Sequence, residues 1–146
     1  MKSYFFKLIL LCAILLVSVC GHTQNKFTDS LSAVLQLAKE DTIKVRALNA
    51  MATYFKSNNP DTAIYFASEA LSLATKINDE PGIIAAYLNR GFASSGLGEY
   101  KNALQDNTLA LQLCDQLLGS NKKINAPAIS ALKANAYASI GSVYQE

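Results

Sequence analysis

The feature that most limits the folds open to this chain is an internal repeat. Residues 61–73 read DTAIYFASEALSL and residues 101–113 read KNALQDNTLALQL. Aligned on Ala63 and Ala103, both follow A-[IL]-x5-A-L-x-L, an offset of 103 − 63 = 40 residues. A second self-alignment joins AYLNRGFA at 86–93 to AYASIGSV at 136–143. Both carry A-Y-x3-G, at an offset of 141 − 91 = 50 residues. Self-similarity at such periods, with apolar residues at helical spacing, points to stacked helix pairs. One pair cannot bury its apolar faces alone, so neighbours must cover them.

The residue types fit that reading. Small residues are needed where helices cross closely, and Gly91, Ala103 and Ala110 provide them. Tyr87, Tyr100, Leu104, Leu111 and Leu113 fill the space to either side. Gly98 falls in the turn between two helices, where a positive φ costs glycine least. Punctuation predicts six helices. The first runs from a cap at Thr28 or Asp29 to about Lys39, the second from Asp41 or Thr42 to about Ser57. The third opens at Pro60 and ends near Ile77. The breaker Asn78-Asp79-Glu80-Pro81-Gly82 precedes a fourth reaching Ser95. The fifth covers about Glu99 to Leu118, and a sixth starts near Ala126-Pro127, after a loop at 119–123. No stretch alternates with period two, so no sheet is expected.

These motifs resemble the tetratricopeptide repeat (TPR) family. Residues 84–117 follow its pattern through Tyr87, Gly91, Gly98-Glu99-Tyr100, Ala103 and Ala110. They depart from it at Arg90, where Leu is usual, and at Ser94, where Tyr is usual. Residues 44–77 keep Tyr54, Ala63 and Ala70 but place Met51 at the small position. A partial unit at 134–146 carries Tyr137, Ile140, Gly141 and Tyr144. The resemblance implies an all-α fold, a right-handed α-α superhelix of antiparallel helix pairs. It would comprise about two full repeats plus flanking helices, with residues 24–43 as linker and capping helix. In that family the first helices of successive units line a concave groove for extended peptides or a partner's helix. Carried over residue by residue, the groove would include Ala85, Leu88, Asn89, Phe92, Ser95, Asn135, Ala138, Ser142 and Gln145. It lacks the Lys/Arg clamp with which some TPR domains hold a C-terminal carboxylate.

The chain opens with an export signature. Lys2 and Lys7 precede an uncharged apolar run from Leu8 to Val19, followed by small and polar residues around Cys20-Gly21-His22-Thr23. That order is a secretory signal peptide over residues 1–23. The run is shorter than the roughly 20 residues that span a bilayer. An uncleaved anchor and lipidation of Cys20 remain alternatives, although Val19 stands where a lipoprotein signal has Gly, Ala or Ser. Without the two signal lysines, 13 − 2 = 11 basic residues balance 11 acidic ones. A neutral chain without a basic stripe does not favour nucleic acid as partner.

Chemistry is sparse. His22 is the only histidine and there is no Trp. Past the signal, Ser-His-Asp arrangements, histidine acid–base catalysis and Cys/His zinc sites therefore lack their residues. No glycine-rich phosphate loop is present. Glu40-Asp41 and Asp79-Glu80 sit at helix boundaries, where carboxylates favour the positive end of the helix dipole. Cys114 lies on an apolar face as a small hydrophobe. The expectation is thus no enzyme, no cofactor and no metal.

The runs Asp29-Ser30-Leu31, Ala38-Lys39-Glu40-Asp41-Thr42 and Asn59-Pro60-Asp61-Thr62-Ala63 are similar to exported TPR regions of bacterial sensor histidine kinases and related signalling proteins. That similarity implies a periplasmic or envelope-associated interaction segment in a Gram-negative bacterium. A membrane helix and a kinase or DNA-binding output module would lie beyond Glu146. The alternative is a stand-alone or lipid-anchored periplasmic binding protein in envelope assembly or nutrient uptake. The partner is a protein or peptide in the groove, and the uncovered face of the last unit is expected to self-associate or dock. Contact with a membrane is expected only through the signal or lipid anchor or a downstream segment.

Overall fold

The computed structural model of the chain describes residue 26, residues 28–120 and residues 125–145. The expected signal segment and Cys20 lie outside these residues, as does most of the expected 119–123 loop. The chain divides into two compact units, residues 1–36 and 37–146. Of the first, residues 28–36 are helical. The second holds five helices: α1 (Thr42–Phe55), α2 (Pro60–Ile77), α3 (Glu80–Gly96), α4 (Tyr100–Leu118) and α5 (Ala126–Val143). No strand occurs among the described residues, and none of their helices is long and apolar enough to cross a membrane.

The helices begin where side chains satisfy the free amides of the first turn. Asp41 Oδ1 accepts from the Ile43 and Lys44 amides at 2.9 and 3.2 Å. Asn59 accepts from Thr62 N at 3.2 Å and Asn125 from Ala128 N at 3.3 Å. Asp79 accepts from Gly82 N at 3.2 Å. Pro60, Pro81 and Pro127 occupy first turns, where the missing N–H has no helical partner to lose. That is why α3 starts at Glu80, inside the segment expected to break the chain: Asp79 and Pro81 are a start signal. Two helix ends use left-handed residues. Asn78 has φ 57° and Gly98 φ 76°. The amides that follow return to carbonyls of the last turn, Asp79 N to Ala74 O at 2.8 Å and Glu99 N to Ser94 O at 2.9 Å.

Each helix packs on the next. In addition α1 touches α3, and α3 touches α5, whereas α2 and α4 do not meet. The result is one layer of α1, α3 and α5 and a second of α2 and α4, with α3 against all four others. The repeat alanines make this possible. Ala63, Ala70, Ala103 and Ala110 are all fully buried. Gly91 is a close crossing of α3 on α4. A methyl group there would lie 2.8 Å from Asn107 Oδ1 and 3.2 Å from the Ala103 carbonyl oxygen. Ile84, Leu88, Ala110, Cys114, Leu117, Ile129 and Ala136 form the core between α3, α4 and α5. Each large aliphatic side chain among them contributes ~1.5–3 kcal/mol by burial.

Candidate functional site: the face of α1, α3 and α5

The layer of alternate helices carries a cleft of about 490 Å³ lined by residues of α1, α3 and α5 and by Lys56, just past the end of α1. From α1 come Asn49, Ala50 and Thr53; from α3, Ala85, Leu88, Asn89 and Phe92; from α5, Leu132, Asn135, Ala138 and Ser139. Lys56 is the sole ionisable residue in this lining. Its Nζ stands 4.6 Å from the centroid of the Phe92 ring, a cation–π contact that holds the charge over the cleft.

The floor is built from asparagines one repeat apart, 89 − 49 = 40 residues. Asn89 Nδ2 donates to the Asn49 backbone oxygen at 3.2 Å and to Asn49 Oδ1 at 3.1 Å. Asn49 Nδ2 donates to the Gly82 carbonyl at 3.2 Å. The Thr53 hydroxyl lies 2.9 Å from the Asn49 carbonyl and 3.0 Å from Asn89 Oδ1. Both amides are buried. Buried hydrogen-bonded polar networks fix geometry because each lost partner is costly, so this one sets the register of α3 on α1.

The structure therefore separates the groove residues expected from sequence. Leu88, Asn89, Phe92 and Asn135 line the main cleft, as do Ala85 and Ala138. Leu88 and Asn89 are buried, the first in the core and the second in the α1–α3 network. Phe92, at 40% exposure, and Asn135 are open to a ligand. Ser95 and Ser142 border a second cavity of about 240 Å³, which shares Phe92 and Ser139 with the first. Gln145 is exposed and lines neither. Sequence reasoning did not find Lys56 or Thr53. The signal was present, since Thr53 follows Asn49 and Lys56 follows Thr53 at helical spacing. The absence of a repeat partner for Lys56 hid it.

Several other groups are accounted for structurally. Arg90 pairs with Asp106 through two bonds, Nε to Oδ2 at 2.7 Å and Nη2 to Oδ1 at 2.8 Å. The hydrogen bonds to Asp106 raise the guanidinium pKa above its ordinary value. The guanidinium carbon also lies 5.6 Å from the Tyr87 ring centroid. Arg at the position where Leu is usual thus ties α3 to α4 by charge. Cys114 is fully buried, and burial pushes its thiol pKa up. Glu40 pairs with Lys76 on the surface, and that bond lowers its carboxyl pKa. Tyr65, Tyr137 and Tyr144 are exposed by more than half. Among the described residues no group of three His, Cys, Asp or Glu is placed to hold a metal ion.

Comparison with protein-family models, with curated proteins and with solved structures finds no match to this chain.

Proposed function

We propose that this chain is a non-catalytic, exported TPR-like interaction segment, and that the face formed by α1, α3 and α5 holds an extended stretch of a partner protein. The observation that carries this reading is the contact pattern. Alternate helices meet on one side only, and there they share an open cleft lined by apolar patches, amides and hydroxyls. A cleft with one cation and no carboxylate among its lining residues has no acid–base pair to offer a reaction. It suits a neutral or acidic peptide, whose backbone would meet the exposed Asn135 and Thr53 and whose carboxylate would approach Lys56. As part of the same reading, the segment is the extracytoplasmic portion of a membrane-linked signalling protein, for which the export signature and the repeats are the support.

The test is a positional-scanning library of fluorescent octapeptides titrated onto the purified chain. Saturable binding, enriched for Asp or Glu at one end, is expected. Phe92→Ala and Asn135→Glu should each weaken it at least tenfold, while Tyr65→Ala on α2 leaves it unchanged. Binding that is indifferent to both cleft substitutions rules the cleft out as the binding site.

A further inference from the structure

The second cavity has a floor that packing does not explain. Phe92, Ser95 and Gly96 of α3, Asn107 of α4, and Ser139 and Ser142 of α5 enclose its 240 Å³. Asn107 is fully buried, and neither its Oδ1 nor its Nδ2 has a hydrogen-bond partner. Leaving such a carboxamide unpaired is costly, because both a donor and an acceptor lose water without replacement. One repeat earlier the fold avoids this cost. The equivalent position one repeat earlier, 107 − 40 = 67, is an alanine that is also fully buried. The site further requires Gly91, since a side chain there would collide with Asn107 Oδ1. A buried amide that the fold accommodates but does not satisfy, at the edge of a cavity, is a group reserved for something that enters.

We propose that this cavity is a side pocket of the peptide cleft and takes a primary carboxamide, the side chain of a Gln or Asn on the bound segment. The proposal rests on the peptide-binding reading for its ligand, and on Asn107 for its chemistry. A carboxamide presents one donor and one acceptor side by side, the complement of the donor and acceptor that Asn107 leaves unpaired. No lining residue is charged, so a carboxylate or an ammonium group would enter without a counter-charge and pay its desolvation unaided. The serine hydroxyls of Ser95 and Ser139, both half-buried, remain for the second N–H and the second lone pair. Phe92 and Ser139 line both cavities, so a chain lying in the cleft reaches the pocket with one side chain.

Gly96 gives a clean probe. An added Cβ there meets nothing within 4 Å, so Gly96→Leu narrows the pocket without disturbing the fold. The experiment follows the side-chain NH₂ resonances of Asn107, identified by their loss in Asn107→Leu, and the backbone amides of Asn49, Thr53 and Asn89. The probes are Ac-Ala-Ala-Gln-Ala-Ala-NHMe and the same peptide with Leu or Glu in place of Gln. The Gln peptide should shift the Asn107 resonances saturably and bind at least tenfold more tightly than the other two. Gly96→Leu and Asn107→Leu should each abolish that preference. Shifts at Asn49, Thr53 and Asn89 with all three peptides alike, and none at Asn107, would overturn the pocket while leaving the cleft. Shifts at Asn107 alone would support the pocket and sink the cleft as a peptide site. A silent spectrum with every peptide overturns both, and means that Asn107 holds water only.

Discussion

α3 and α5 carry the same A-Y-x3-G motif and live in different surroundings. In α3 the motif is covered. Gly91 is buried against Ala103 and Asn107 of α4, Tyr87 is half-buried against the core, and Arg90 is clamped to Asp106. In α5 the glycine and the tyrosine of the motif are open. Gly141 has nothing within 4 Å of where a Cβ would stand, Tyr137 is 55% exposed and Tyr144, just past the helix, 77%. The motif therefore describes a surface shaped to receive a helix. Whether the surface is buried depends on the helix that follows. The motif's glycine is pressed against a neighbour in α3 and, among the described residues, faces open space in α5.

Substitutions at matched positions test that contrast. The largest effect is expected at the covered glycine. Gly91→Val drives two methyl groups toward Asn107 and the Ala103 carbonyl, where a backbone atom cannot yield. Overpacking of this kind costs about 2–3 kcal/mol, which for a domain of this size lowers the melting temperature by roughly 10–20 °C. A Tm unchanged within error would mean that α3 and α4 are not as close as described.

Next is the position one residue earlier, Arg90 in α3 and Ile140 in α5. Arg90→Ala strands the carboxylate of Asp106, whose side chain is 8% exposed. A fully buried pair broken this way loses ~3–5 kcal/mol. Arg90 itself keeps 28% exposure, and water reaching the site reduces the loss to about 2 kcal/mol. Urea denaturation of Arg90→Ala, and of Arg90→Met combined with Asp106→Leu, decides the matter. The double variant should recover most of the loss, since an apolar pair of similar volume needs no counter-charge.

Asn107→Leu should move in the opposite direction. Replacing an unpaired buried amide by an apolar side chain of similar size removes a desolvation cost of about 1–3 kcal/mol, so the midpoint of urea unfolding should rise. A destabilised variant would show that Asn107 has hydrogen-bond partners in solution. The smallest effect belongs to α5. Gly141→Ala meets open space and exchanges glycine for the best helix former, a gain of at most ~1 kcal/mol. A loss there would reveal a neighbour packed on α5.

What could be read from the sequence was local. Asp41 and Asp79, read as boundary carboxylates, act through amides two or three residues away. The left-handed turn at Gly98 was foreseeable because only its own backbone decides it. Ala103 and Ala110 were legible as crossing residues, and self-alignment sets Ala63 and Ala70 at the matching positions, all four fully buried. What depends on a distant partner was not legible. Asn89 reads as a groove residue by position, yet its amide is used by Asn49, forty positions away. Arg90 reads as a departure from pattern until Asp106 appears beside it. Tyr100 reads as a packing residue, yet it is 39% exposed, because periodicity says which face a side chain shares but not what covers it. Lys56, with no counterpart in the other repeats, gave self-alignment nothing to match.

The central claim is that the α1–α3–α5 face, and not the α2–α4 face, meets the partner. Site-specific photo-crosslinking in cells that express the full chain tests it most directly. A benzophenone amino acid is placed at Phe92 or Asn135 on one face, and at Tyr65 or Gln105 on the other. Discrete crosslinked species are predicted from positions 92 and 135, none from 65 and 105, and the species at 135 should disappear with Lys56→Glu if the bound segment is acidic. Crosslinks confined to 65 and 105 would contradict the account and move the interaction surface to the outer layer.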